Sequence, residues 1–599
     1  MDEQVDTFRH SAKIPYAVRT IANPSQAELR ELSKRHVPHI YESRYGNLDR
    51  ITRCKARMAK HTHIIAPMHE AGFYSSHVMR SEEAAGIIEH QRQYIERIGT
   101  LIQIDGYQGL GPLAPAVQWL YTPEGANIAG MQQILAFPRE AVESSEERTQ
   151  PFRPQFRLVM TPGCPAPGSP PQVAILVDLE HWTTYVLGSD YFGESKKGML
   201  RMLNEYVYQL GGLVLHAGAK AVTVAGRRVM MAVMGLSGTG KTTTTFSHQG
   251  DLTEPVQDDM ICLWPDGSCT PTENGCFAKT HGLREESEPV IYRGTIQPEA
   301  WVENVYLDPD GTYDFSKESL APEDVARLYD ALVSTGAPRE NVDAYVAGKV
   351  RADEVLDERG VPLDGWDFVV WTQNGRSIIP MHAIDNAADL HRIPEIQSLG
   401  ILNRDEGPDA ATPGIVRFTS PLQAAAYFML GETSKTSAAG KDRGKTRSPF
   451  TQPFFPRVPH LQARRFEELA ARLPDLQLWL MNTGYIGGDA RDVDAGRALK
   501  VKIRHSSAML EALLAHWIAW KEDPDFGYEI VDVNAPENHP LVEAVGDEIL
   551  DPRLFYARRG RHDEYVAWVE RIKEERRAFL LRMGVDEEVL RQVHHYSGL

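Results

Sequence analysis

Residues Gly235, Leu236, Ser237, Gly238, Thr239, Gly240, Lys241 and Thr242 follow the spacing Gly, four residues, Gly, Lys, Ser/Thr. Each residue type in that pattern has a task toward a polyphosphate. Glycines let successive backbone N–H groups turn toward one anion, Lys241 can reach the terminal phosphates, and the Thr242 hydroxyl can ligate a nucleotide's divalent ion. An apolar run, Val229 to Met234, leads into the loop as a buried strand should. Further along, Gln257, Asp258 and Asp259 stand where an acidic strand end can hold such an ion, since a divalent cation between phosphates prefers hard carboxylate oxygens. A turn aspartate is the competing reading of that pair, and an ordinary glycine-rich turn that of the loop.

Two more clusters lie upstream. Tyr191, Phe192, Gly193, Glu194, Ser195, Lys196, Lys197, Gly198 and Met199 open a helical pattern that runs to about Leu210, and His216 follows the short apolar strand Leu213 to Leu215. Alone, the lysine pair reads as solvated surface and the imidazole as structural. Nearness to a phosphate loop makes both candidates for chemistry. Arg53, Lys55, Arg57 and Lys60 form a basic turn before Thr62 to Ile65, for which a solvated basic face is the bland alternative.

The surrounding elements are those of an ordinary α/β enzyme. The 599 residues, 42% hydrophobic, suffice for several buried cores, and length suggests two to four domains. Ala27 to Arg35 and Ser81 to Arg97 have helical spacing, Phe156 to Met160 and Val173 to Val177 read as strands, and Pro162 to Pro171 as an exposed loop. A net charge of −18 opposes general affinity for nucleic acid or anionic membrane and favours small-molecule partners. Cys54, Cys164, Cys262, Cys269 and Cys276 are odd in number and lack metal-ligand spacing, so buried free thiols in a reducing, cytoplasmic setting are expected. The start Met1, Asp2, Glu3 lacks a basic-then-apolar signal, and no apolar run approaches membrane-spanning length.

In order along the chain, YFGESKKGM (191–199), GLSGTGKTT (235–243), Asp258 and Asp259, ENGCFAKT (273–280), NGRSIIPMHAIDN (374–386), DRGKTRSP (442–449), NTGY (482–485) and ILDPR (549–553) resemble motifs of the ATP-type phosphoenolpyruvate carboxykinases. The likeness covers most of residues 50 to 560. It implies a two-lobed carboxykinase-like α/β fold, with an N-terminal mixed α/β domain and a P-loop mononucleotide-binding domain. It further implies conversion of oxaloacetate and ATP to phosphoenolpyruvate, CO2 and ADP through an enolate.

By that resemblance, Lys197, His216 and Asp259 hold a manganese ion, which requires Lys197 as the neutral amine, its pKa lowered by burial and neighbouring cations. Thr242 joins a magnesium ion on the nucleotide phosphates, and Asp258 is a further catalytic carboxylate. Lys241 and Arg376 neutralise the transferring phosphoryl group, and Arg376 also contacts substrate. Arg57 and Tyr191 bind oxaloacetate, while Lys279, Glu288 and Arg443 serve the adenine and ribose side. The segment 405–415 corresponds to a lid that keeps water from the enolate.

The family's Gly-Arg-Ser-Pro around the first arginine is absent here, which leaves Arg53 as rival to Arg57. The expected domains are 1–220 and 221–558, with an insertion at 316–366 and a charged helical extension over 559–599. Two other functions stay open at this point: a kinase of another small molecule or protein on the same loop scaffold, and a nucleotide-binding regulator without turnover.

Overall fold

The computed structural model describes residues 10, 13–54, 58–168, 172–236, 238–357, 360–434 and 445–593. The chain forms two compact units, one of residues 1–206 with 272–385 and the other of 207–271 with 386–599. Both are α/β, as expected. The domain boundary is not: segment 272–385, assigned by sequence to the phosphate-loop half, belongs to the first unit. Sheet pairing is the reason, because strands Gly275–Lys279, Arg376–Pro380 and Trp301–Glu303 complete one five-stranded sheet with Leu48–Arg50 and Ile40–Glu42. Conversely, residues 207–220 join the second unit, since Leu213–Leu215 pairs with Ile261–Leu263 and Ala217–Val224 pairs with Arg227–Met234.

The first unit also contains an eight-stranded mixed sheet, ordered Arg19–Ala22, Thr100–Tyr107, Ala116–Tyr121, Phe156–Thr161, Thr183–Leu187, Ala174–Asp178, Thr62–Ile65 and His77–Met79. Its central strands Ala116–Tyr121 and Phe156–Thr161 are buried along their whole length and mostly apolar, with the buried Arg157 donating to Gln118 at 3.0 Å. The helix Gln26–His36 begins at a reciprocal capping box of Ser25 and Glu28. The expected insertion at 316–366 folds as short helices, Pro322–Arg327, Tyr329–Ser334, Arg339–Val346 and Ala352–Val355. They pack Val325, Leu332, Val342 and Tyr345 around Phe368 and Trp371.

In the second unit the strands run Leu252–Gln257, Ala217–Val224, Arg227–Met234, Ile396–Asn403, Gln477–Asn482, Ile415–Arg417, Glu529–Val531 and Trp520–Glu522. The three central ones, Arg227–Met234, Ile396–Asn403 and Gln477–Asn482, are parallel, and the phosphate loop leaves the C-terminal end of the first. Ligands of open α/β sheets bind at that end. The helix His562–Met583, expected as a charged extension, carries a buried stripe of Trp568, Ile572, Phe579 and Leu580, and its Arg576 is fully enclosed against Glu432 at 2.7 Å.

The stretch expected as a lid is largely packed. Asp405, Asp409, Ala410, Ala411 and Thr412 are buried, and Ile415–Arg417 is a sheet strand. A Gly-, Pro- and Asp-rich stretch reads as exposed, but here its polar groups are satisfied internally. Asp405 accepts from Asn403 Nδ2 (2.7 Å) and from the Thr412 N–H (2.9 Å) and pairs with Lys445, and Arg571 holds Asp409 at 2.7 Å.

Candidate active site

The phosphate loop bends as its glycines permit: Gly238 and Gly240 have φ of 86° and 89°, which side chains with a Cβ resist. Ser237 lies outside the described residues. Leu236 O accepts from Thr239 Oγ1 (2.8 Å), and Thr239 O from Thr483 Oγ1 (2.7 Å), so the NTGY turn braces the loop from outside. The helix Lys241–Phe246 follows, with Thr242 as its second residue. Lys220, fully buried, donates to Thr244 O, Ser247 O and Gln249 Oε1, one acceptor for each ammonium proton, and so ties down the far end of that helix. Burial pulls its pKa to about 7.

Lys241 Nζ lies 3.2 Å from Asp259 O and 3.4 Å from Asp259 Oδ1, and the same Oδ1 is 3.0 Å from His216 Nε2. Gln257 Oε1 accepts from the backbone N–H of Asp258 and of Asp259, which sets this acidic turn, and Asp258 itself is buried. His216 Nδ1 faces Phe450 O at 3.1 Å. Nε2 and the carboxylate oxygen are at hydrogen-bond distance, a pair that an imidazolium proton or a cation ligated by both atoms would satisfy. The donor set, one imidazole nitrogen and one carboxylate, fits a divalent transition metal. The structure brings His216, Lys241 and Asp259 together, while Lys197, expected beside His216 and Asp259, belongs to the other unit.

A cavity of about 310 Å³ adjoins the loop, lined among others by Thr239, Gly240, Thr243, Arg404, Lys500 and Ser506. Lys500 sits 4.1 Å from the Tyr485 ring centroid, and its pKa falls to about 8 through burial and then the nearby Arg404 charge. Two cations beside a phosphate loop suit a polyanion. Sequence reading missed both; the usable signal was the NTGY motif, because its Tyr485 pairs with Lys500 across a hairpin.

In the first unit, Tyr191 and Lys196 are buried at the start of the helix Phe192–Gln209, Lys197 is half-buried, and Lys196 is ion-paired with Glu273. Arg376 donates to Gly375 O at 2.8 Å and lies 5.8 Å from the Phe277 ring centroid; burial, against the nearby Arg376 charge, raises Tyr191 to about 12. Lys279 is the direct cross-strand neighbour of Arg376, and burial, then Arg376, lowers its pKa. On the other side Arg376 faces Glu303, a residue the sequence reading did not single out. Glu288 caps the helix Pro289–Thr295. Arg57 and Arg443 lie outside the described residues. Its rival Arg53 spends its guanidinium on Gly188 O and its backbone N–H on Asp190.

The family profile described as phosphoenolpyruvate carboxykinase matches residues 19–329 and 343–538. Among curated relatives, the phosphoenolpyruvate carboxykinase (ATP) of Mesorhizobium japonicum is 29% identical over 430 residues, 69% of this chain and 66% of the relative. That of Aeropyrum pernix is 30% identical over 422 residues, 68% and 69% of the two lengths. The chain belongs to the ATP-type phosphoenolpyruvate carboxykinase family.

Members of this family are ATP-dependent carboxy-lyases that form phosphoenolpyruvate from oxaloacetate, so a phosphate loop fits the family's chemistry. The carboxykinase match runs through most of the segment read as an insertion at 316–366; only 330–342 interrupt it. Alignment with these carboxykinases takes in about two thirds of their length. All five cysteines are free and buried, and among the described residues no helix is long and apolar enough to cross a membrane.

Proposed function

We propose that this chain decarboxylates oxaloacetate and transfers the γ-phosphoryl group of ATP to the enolate oxygen left behind, giving phosphoenolpyruvate, CO2 and ADP. One observation carries the reading: the contact chain Lys241, Asp259, His216 beside a phosphate loop in a member of this family. Loss of CO2 leaves its bonding electron pair on the three-carbon fragment as an enolate, whose oxygen attacks phosphorus as the bond to ADP breaks. Arg57 and Tyr191 would hold the substrate carboxylates, a planar guanidinium suiting bidentate capture. Lys241 and Arg376 would offset charge on the phosphoryl group, with Asp258 supporting the same turn.

The loop backbone from Gly235 to Thr242 would cradle the phosphates. Lys279, Glu288 and Arg443 would serve the nucleoside, and Arg404 and Lys500 at the cavity beside the loop would meet phosphate oxygens. Manganese would be held by His216, Asp259 and the neutral amine of Lys197, and magnesium with the nucleotide by Thr242. Such cations stabilise negative charge on enolate and phosphate oxygens. A cytoplasmic location and small-molecule partners alone, without nucleic acid or membrane, complete the proposal.

The test is manganese-dependent phosphoenolpyruvate formation from oxaloacetate, with ATP, GTP and pyrophosphate compared in parallel. Product with ATP alone is expected. Phosphorylation of other acceptors in place of oxaloacetate would overturn the reading in favour of a kinase.

A further inference from the structure

Across the five-stranded sheet of the first unit, Lys279, Arg376, Glu303 and Arg50 are direct partners on successive strands, so their side chains share one face. Their charges are not met equally. Arg50 pairs with Asp190 at 3.3 Å, and Asp190 also accepts the backbone N–H groups of Arg53 (2.8 Å) and Cys54 (2.9 Å). Glu303, between Arg376 and Arg50, is wholly buried, yet its Oε2 accepts only a long 3.4 Å bond from the Phe192 N–H and its Oε1 has no hydrogen-bond partner.

A buried carboxylate with a bare oxygen is costly, and the neutral acid much less so. Burial pushes Glu303 up to about 8. The groups around it come from every neighbouring element. Arg376 favours its charged form, and Asp190 and Asp49 oppose it, Asp49 being itself raised to about 8 by burial. Arg50 and Tyr191 complete the surroundings.

We propose that Glu303 is a protonation-sensitive positioning residue for Arg376. As the neutral acid it leaves the positive charge of its cross-strand neighbour Arg376 to an anionic substrate; once its proton is lost to solvent, the carboxylate competes for that charge. The inference rests on Arg376 contacting substrate or the transferring phosphoryl group.

At saturating ATP, wild-type kcat/KM for oxaloacetate should fall about fivefold between about pH 7 and about pH 9. Glu303→Gln keeps the shape without the charge, so it should match wild type at the lower pH and show no alkaline fall. The same fall in Glu303→Gln overturns the proposal. Should that variant not fold, Glu303→Asp moves the acid and must shift the midpoint of the fall; an unchanged midpoint overturns it equally. Arg376→Gln separates this inference from the reading beneath it. Unchanged kcat/KM in Arg376→Gln means that Arg376 has no role at the site and both fail, whereas loss there with an intact alkaline fall in Glu303→Gln sinks the role of Glu303 alone.

Discussion

The phosphate loop of the second unit and the charged row of the first are both proposed to meet anions, but they are built in opposite ways. In the loop, Gly235 to Thr242 are contiguous, and backbone torsions at Gly238 and Gly240 set the shape. In the row, Lys279, Arg376, Glu303 and Arg50 come from four strands that only sheet register aligns. The loop presents backbone N–H groups, whose dipoles do not titrate. The row presents side chains whose charges depend on one another and on burial. In the first design the backbone dipoles do not titrate, although Lys220 beneath the loop helix and Lys500 at the cavity do, and the second gives a charge that a neighbouring acid can modulate.

Substitutions can test how far this contrast holds. The largest effect is expected at Lys241→Ala, with kcat lower on the order of a hundredfold or more and the fold intact, because the phosphoryl charge loses a preorganised partner. Steady-state kinetics with a parallel melting curve checks it, and wild-type turnover would break the claim that the loop carries the chemistry. His216→Ala should weaken manganese binding by roughly tenfold to a hundredfold, read by paramagnetic relaxation, since the ring held by Phe450 O is oriented for a metal. Equal binding would remove His216 from the site.

Lys220→Met leaves Thr244 O, Ser247 O and Gln249 Oε1 without their donor and should cost about 2 kcal/mol in urea unfolding. No change would mean that the loop needs no support from beneath and is more autonomous than its packing suggests. Smallest is Lys500→Ala, expected to raise KM for ATP about fivefold and leave that for oxaloacetate unmoved, as removal of one phosphate-facing cation should. A shift in both constants would blur the division between nucleotide and substrate groups.

The sequence alone determined the phosphate loop, the acidic turn at Asp258 and Asp259, the α/β class and the family. These depend on residue types at short, fixed spacing, where local backbone geometry leaves little choice. It also indicated five free thiols, which the structure buries. Only the tertiary structure decided that 272–385 joins the first unit, that 405–415 is largely packed, and that Glu303 is the cross-strand neighbour of Arg376. Lys220 under the loop helix and Arg404 with Lys500 at the cavity were equally hidden, being 24 and more residues from the groups they serve. The physical reason is the same in each case: which strands pair, and in what register, is settled by burial of whole faces and by satisfaction of backbone hydrogen bonds across the sheet. No short window of sequence contains both sides of that balance.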